Sequence, residues 1–265
     1  MPQGIEATAM RRRQILTILA LCALCSAAPA AGEPVQKGNL RVSFSGGITP
    51  KQLPREGAAP ISVRLAGRIA TTDGSDPPPL EGIKIAINRE GRLDPRALPT
   101  CSIRQIQPSS TAYARRTCGA ARVGEGTFSA SIGIPDQSPY PSRGTVTAFN
   151  GIENGRPVVL LHIYGTEPVP TSFTLPLSIS RARGAFGTVL SGELPSVDVH
   201  IGFVTGISLQ LDGAGRRRAR PYLRAGCPAP TGFSQALFPL TRAGFVFGDG
   251  RTLSTTLLRT CRVRG

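Results

Sequence analysis

Apolar residues recur at every second position in one run after another of this chain, and that period decides what it can fold into. Ile61, Val63, Leu65 and Ile69 alternate with Ser62, Arg64 and Arg68, and similar rows run through Ile83/Ile85/Ile87, Phe128/Ala130/Ile132/Ile134 and Phe173/Leu175/Leu177/Ile179. Val197/Val199/Ile201/Phe203 and Ile207/Leu209/Leu211 extend the series. Side chains two apart point to the same side of a strand, so each run buries one face. Strands of that kind build antiparallel sheets packed face to face. Val158-Val159-Leu160-Leu161-His162-Ile163-Tyr164 is apolar on both faces and reads as a central strand. Asp73-Gly74, Asn150-Gly151, Asn154-Gly155, Asp212-Gly213 and Asp249-Gly250 supply turn residues that tolerate positive φ. The one helical signal lies in 109–118, where Ser109 or Ser110 can cap a short turn through Ala112, Tyr113 and Ala114. The fold class predicted is all-β, an antiparallel β-sandwich or a barrel-like variant of it, with one short helix near 109–118. Residues 31–60, rich in Gly, Pro and charge, are expected to be a partly extended segment with one strand at Leu40–Phe44, and 61–265 a single domain.

The first thirty residues have the order of a secretory signal peptide. Arg11, Arg12 and Arg13 precede an apolar run from Ile15 to Leu24, too short to span a bilayer comfortably, and then a run of small residues. Ala28 and Ala30 stand at the −3 and −1 positions of a cleavage site, which predicts a secreted or envelope-associated protein beginning near Ala31. The same residues admit an uncleaved anchor, or lipid attachment at Cys22 or Cys25, although a leucine precedes each cysteine where lipoprotein processing wants a small residue. Arg12-Arg13-Gln14-Ile15-Leu16 also has the form of a twin-arginine signal, and a basic leader explains it more simply.

Export and cysteine usage agree. Beyond the leader stand Cys101, Cys118, Cys227 and Cys261, an even set suited to disulfides in an oxidising compartment. Of three possible pairings, Cys101–Cys118 with Cys227–Cys261 closes loops of modest length and is preferred, each bridge contributing about 3 kcal/mol in the chain-entropy model. These four contain no C-x-x-C pair, so neither structural zinc nor any other metal or cofactor is expected.

The chain carries 31 Lys plus Arg against 16 Asp plus Glu, a net charge of +15. Removing Arg11, Arg12, Arg13 and Glu6 with the leader leaves 28 against 15, close to +13. Such an excess attracts an anionic partner, although an arginine-rich, Ala/Gly/Pro-rich composition also arises from a GC-rich coding sequence. The densest basic run is Arg216, Arg217 and Arg218 with Arg220 and Arg224, and Arg259, Arg262 and Arg264 add charge near the C-terminus. A Cys227–Cys261 bridge would bring the two clusters together. Anionic envelope polymers or a membrane surface are the expected counter-charge. Nucleic acid is not expected, because the basic run lacks interleaved aromatic residues.

Catalytic signals are sparse. The chain has two histidines. His162 lies among aliphatics, as a core histidine does. Asp198-Val199-His200 places an acid and a base on one strand face, opposite the apolar one. G-x-S-x-G, H-E-x-x-H, the P-loop and G-x-G-x-x-G are all absent. Glu125, Glu153, Glu193 and Asp212 have no spacing that pairs them for glycoside chemistry. A sugar-binding face is weakened by the lack of tryptophan and the four tyrosines. Asp73-Gly74-Ser75-Asp76 could offer oxygens to calcium and is better explained as a polar turn. The reading that follows is a non-catalytic extracellular or envelope-associated binding protein with a basic contact surface. The alternatives are a hydrolase with a site near His162 or His200, and a carrier of an apolar ligand.

Leu53-Pro54-Arg55-Glu56-Gly57, Gly67-Arg68-Ile69 with Thr72-Asp73-Gly74, and Ile87-Asn88-Arg89 form part of a longer pattern. It continues in Gly124-Glu125-Gly126-Thr127-Phe128, Phe149-Asn150-Gly151, Gly226-Cys227-Pro228-Ala229-Pro230 and Arg259-Thr260-Cys261. The pattern resembles a family of secreted proteins from high-GC Gram-positive bacteria that has no assigned activity. The resemblance implies export and a single compact unit, and brings no cofactor or catalytic residue with it.

Overall fold

The run that is apolar on both faces forms β10 (Arg156–Gly165), lying between β9 (Tyr140–Glu153) and β11 (Thr171–Arg181) with antiparallel pairing on both sides. This is from a computed structural model of the chain, which describes residues 33–133, 139–194, 202–212 and 221–264. Glu153 pairs with Arg156 across Asn154-Gly155, whose φ angles of 50° and 74° make the two-residue hairpin turn that the dipeptide predicts. Asn150-Gly151 behaves otherwise. It lies inside β9, with Asn150 fully buried and its Nδ2 donating to the carbonyls of Pro95, Leu98 and Pro99. Burial and three long-range acceptors override its turn propensity.

The other strands are β1 (Glu33–Lys37), β2 (Leu40–Thr49), β3 (Gln52–Leu53), β4 (Ala59–Pro60), β5 (Ser62–Thr71), β6 (Leu80–Asn88), β7 (Gly91–Leu93) and β8 (Arg122–Ile132). After β11 come β12 (Phe186–Glu193), β13 (Phe203–Asp212), β14 (Leu223–Ala225), β15 (Gln235–Phe247) and β16 (Thr252–Val263). Thirteen of them form one sheet in the order β1-β2-β5-β13-β8-β9-β10-β11-β12-β6-β15-β16-β3, and β4-β14-β7 form a second, small sheet. All pairings are antiparallel except β16 with β3, and the architecture is all-β as the alternation predicts. Segment 31–60, in which the sequence shows one strand, supplies β1 to β4.

The large sheet curls into a barrel-like form. Phe44 on β2 meets Phe245 on β15 edge to face, ring centroids 6.2 Å apart, although many strands separate them in sheet order. At the seam β16 lies against β1 and β2. Arg259 of β16 donates from Nε to Gly46 O at 2.7 Å and from Nη1 to Glu33 at 2.8 Å. Arg251 donates from Nη1 to Lys37 O at 3.2 Å. Side-chain guanidinium groups therefore close a gap that no backbone ladder spans. Gly126 on β8 permits close approach of the neighbouring β13, because a Cβ there would collide with the carbonyl of Ser208.

Val42, Val146, Leu161, Phe245 and Leu257 lie in one continuous core enclosed by the curl. Leu223 and Ala225 of the small sheet pack into it, and Cys227–Cys261 ties the segment after β14 to β16. Arg55 fastens the same corner, donating to Ala229 O at 2.6 Å, Phe233 O at 2.7 Å and also Pro230 O. Segments 53–57 and 226–230 thus meet as scaffold. The apolar space between the small sheet and the core is about 60 Å³, bordered by Ile61, Ile85, Leu190, Leu223 and Phe238. An apolar cavity of about 150 Å³ is what holds a ligand as small as benzene. This space is smaller than that.

Candidate functional site: a cleft over the helical cap

The chain between β7 and β8 leaves the sheet and returns as a small layer on the outer face of β9–β10–β11. Ser102 opens α1 (Ile103–Ile106), where Gln105 Oε1 accepts from the Ser102 backbone N–H at 2.8 Å. Ser110 caps α2 (Thr111–Cys118), its Oγ accepting from Tyr113 N at 3.3 Å, within the helix the sequence predicts. Cys101–Cys118 spans the layer. Ile106, Ala114, Phe149, Val158 and Leu160 fill a second, smaller core between the layer and the sheet.

Beyond that apolar patch the joint is polar. Gln107 Oε1 accepts from Thr174 N at 2.7 Å, Ser109 N donates to Ser172 Oγ at 3.1 Å, and the hydroxyls of Thr111 and Thr145 bond to each other. His162 is fully buried here, 3.1 Å from Ser109 O through Nε2. A carbonyl can only accept, so Nε2 carries the proton and Nδ1 is the bare nitrogen. Burial pushes the imidazole's pKa below its ordinary value, and the carbonyls of Ser109 and Ile106 oppose that shift in part. Thr147 and Thr174 stand directly opposite His162 on the two neighbouring strands. Thr147 Oγ1, His162 Nδ1 and Thr174 Oγ1 are all buried without a hydrogen-bond partner among the described residues. The bonds given to His162 hold a loop in place. No carboxylate among the described residues bonds to it, and its Nε2–H holds the Ser109 carbonyl of the cap.

On the outer side of the layer lies an open depression of about 510 Å³. Arg104, Gln105, Gln107, Ser110, Tyr113 and Arg116 line it together with Pro108 and Ser109. Arg104 and Arg116 are exposed and enter no ion pair among the described residues, whereas the adjacent Arg115 is held by Glu125 at 3.1 Å. No acidic residue among those described lines the depression. Tyr113 is half exposed, at 49%.

The other candidate residues fall into two groups. Asp198, His200, Arg216, Arg217, Arg218 and Arg220 lie outside the described residues, as does the leader with Cys22 and Cys25. Arg224 lies in β14 and donates from Nε and Nη2 to Ala58 O at 3.2 and 2.8 Å. Arg259 closes the seam. Glu125 is shared between Arg115 and Arg122, both at 3.1 Å, and Glu153, Glu193 and Asp212 sit at the ends of β9, β12 and β13. Asp73 accepts from Asn39 Nδ2 at 2.9 Å, Ser75 Oγ at 2.6 Å and Ser75 N at 3.1 Å, which holds its carboxyl well below the usual range. It serves as the acceptor of a turn. Among the described residues no group of three or more His, Cys, Asp or Glu could hold a metal ion, and no helix is long and apolar enough to cross a membrane.

Sequence reading missed the cleft because Arg104 and Arg116 stand twelve positions apart, on two helices brought together by Ile106–Ala114 packing and the Cys101–Cys118 bridge. The available signal was a pair of serines at helix N-cap positions, Ser102 and Ser110, with Arg104 two residues after the first and Arg116 six after the second.

The fold and cleft define a disulfide-stapled, barrel-like β protein with a small helical layer and a cationic surface depression. No family model, curated protein or solved structure matches the chain.

Proposed function

We propose that this is an exported, non-catalytic binding protein of the cell envelope or extracellular space that holds an anionic polymer through its basic surface, with the cap cleft as the contact. The observation that carries the reading is the pairing of Arg104 and Arg116 around a depression with no acidic lining among the described residues. Two guanidinium groups without counter-charge are an incomplete arrangement that an oxyanion completes. The charge excess of the whole chain adds long-range attraction. Two disulfides are compatible with an oxidising compartment, and the leader-like first thirty residues supply a route there. The anionic partner is an envelope polymer or membrane surface.

Cosedimentation of the mature chain with cell-wall and membrane fractions across a salt series tests this. Retention is expected at low salt and lost at high salt, since exposed charge contacts are screened over about 8 Å at physiological ionic strength. Arg104→Ala with Arg116→Ala is expected to weaken retention by about tenfold or more, as loss of two charge-assisted contacts does. The triple variant Arg216→Ala, Arg217→Ala, Arg218→Ala, run beside it, separates the cleft from the arginine-rich run. No retention at low salt overturns the reading.

A further inference from the structure

The hydrogen bonds beneath the cleft fix what its surface offers. Gln105 and Gln107 each present one oxygen and one amide nitrogen, and a free carboxamide could turn either one outward. Here neither is free to choose. Gln105 Oε1 is taken by the Ser102 backbone N–H at 2.8 Å and by Ser102 Oγ at 3.0 Å, and Gln107 Oε1 by the Thr174 N–H at 2.7 Å. A backbone N–H can only donate, so both oxygens are fixed on their partners, with one lone pair of Gln107 Oε1 still open, and neither NH2 group has a partner among the described residues. Ser110 Oγ spends a lone pair on Tyr113 N, which leaves its O–H as donor. With Arg104 and Arg116, which have no acceptor at all, side-chain donors predominate in the lining, and Ser109 Oγ, its O–H donated to Ile106 O at 2.5 Å, stands among them as an acceptor.

From this we infer that the cleft takes an acidic sugar unit of an extracellular glycan, its carboxylate between the guanidinium groups, its hydroxyls on the two amides, and its ring against Tyr113. The inference rests on the proposed basic contact surface and names its ligand. A planar carboxylate accepts two parallel N–H bonds from a guanidinium fork. Sugar hydroxyls and ring oxygens accept from amides. The half-exposed ring of Tyr113 provides an apolar face for a pyranose at the edge of the depression. A depression of about 510 Å³ suits one or two sugar units and far exceeds a lone inorganic anion. Single-stranded nucleic acid is a poorer fit, because it is held on successive aromatic platforms and the cleft lining holds one ring.

The test exploits the committed oxygens. Gln105→Glu and Gln107→Glu keep an oxygen for the backbone N–H and replace the outward donor with an acceptor, so the fold is retained while the cleft changes character. Thr117→Glu, exposed on α2 and outside the cleft lining, controls for the added charge. Affinities are measured by calorimetry for the mature protein against oligogalacturonate, its neutral methyl ester, dextran sulfate and poly(glycerol phosphate). Oligogalacturonate is expected to bind best, with a loss of about tenfold or more for the methyl ester, for either Gln→Glu variant and for Arg104→Ala, as removal of a charge-assisted hydrogen bond gives. Thr117→Glu is expected to cost less than about threefold, as a screened surface charge does. Equal affinity for all three polyanions, with the Gln→Glu variants no weaker than Thr117→Glu, overturns the acidic-sugar inference while leaving the basic-surface reading standing. Tightest binding to poly(glycerol phosphate) or dextran sulfate overturns it too and reassigns the oxyanion. Failure to bind any polyanion at low salt overturns both.

Discussion

β10 separates two interiors of different chemistry. Toward the inside of the curl it presents Val159, Leu161 and Ile163, all buried in a continuous aliphatic and aromatic core. Toward the helical layer it presents Val158, Leu160 and His162, and there the apolar cluster gives way within one residue pair to a row of buried polar atoms. The inner face is enclosed by the curled sheet, whose seam Arg251 and Arg259 bridge, and by the small sheet over one part. The outer face is covered by two short helices held by a disulfide and a few hydrogen bonds. Burial of apolar area is what stabilises the first, at about 25 cal/mol per Å². The second gives up some of that contribution to polar groups, three of which find no partner among the described residues, and each such atom costs stability. The inner face therefore carries the fold, and the outer one carries a layer that can open locally while the sheet stays intact.

The largest effect that could break this distinction is a cavity on the inner face. Leu161→Ala is expected to cost about 2–5 kcal/mol in a denaturant melt and to act on the whole molecule. A loss below about 1 kcal/mol would mean the curl is not tightly packed around β10. Next comes the staple of the outer layer. Replacing Cys101 and Cys118 together with serine removes about 3 kcal/mol in the chain-entropy account. The loss is expected to appear as faster amide exchange across Ile106–Cys118, with β9, β10 and β11 still protected. Uniform acceleration through the sheet would show that cap and sheet are one cooperative unit.

The smallest effect sharpens the polar row. Buried neutral, His162 has a folded pKa below its ordinary value of 6.5, so the folded state binds fewer protons than the unfolded one. Its contribution to stability is fully present above about pH 6.5 and is lost as pH falls through that value toward the lowered folded pKa. Melting temperatures from pH 8 to pH 5 are expected to fall more steeply for the native chain than for His162→Gln. Parallel profiles would show that the imidazole does not titrate across this window.

What the sequence disclosed follows from how local each signal was. β10 was legible because a seven-residue run apolar on both faces has few other homes, and Asn154-Gly155 because a two-residue turn depends on its own dihedral angles. Both disulfides were legible from short loops, and the 111–118 helix from its capping serine. Asn150-Gly151 carries the same dipeptide as the true turn and sits mid-strand, because carbonyls some fifty residues away capture its amide. β13 pairs between β5 and β8, a register set by contacts across the chain that no local pattern encodes. The cleft was hidden for the same reason. Charge density along the chain points to Arg216–Arg220, while the cleft depends on which Gln oxygens are already engaged by backbone N–H groups.

The division of labour between the faces of β10 is tested most directly by amide chemical-shift mapping of the mature protein titrated with a short anionic glycan at low salt. The account predicts saturable shifts confined to residues 102–117, strongest at Arg104, Gln105, Tyr113 and Arg116, with Val159, Leu161 and Ile163 unmoved. Shifts centred on the outward-facing Lys84 and Arg242 of β6 and β15, with the cap silent, would contradict it.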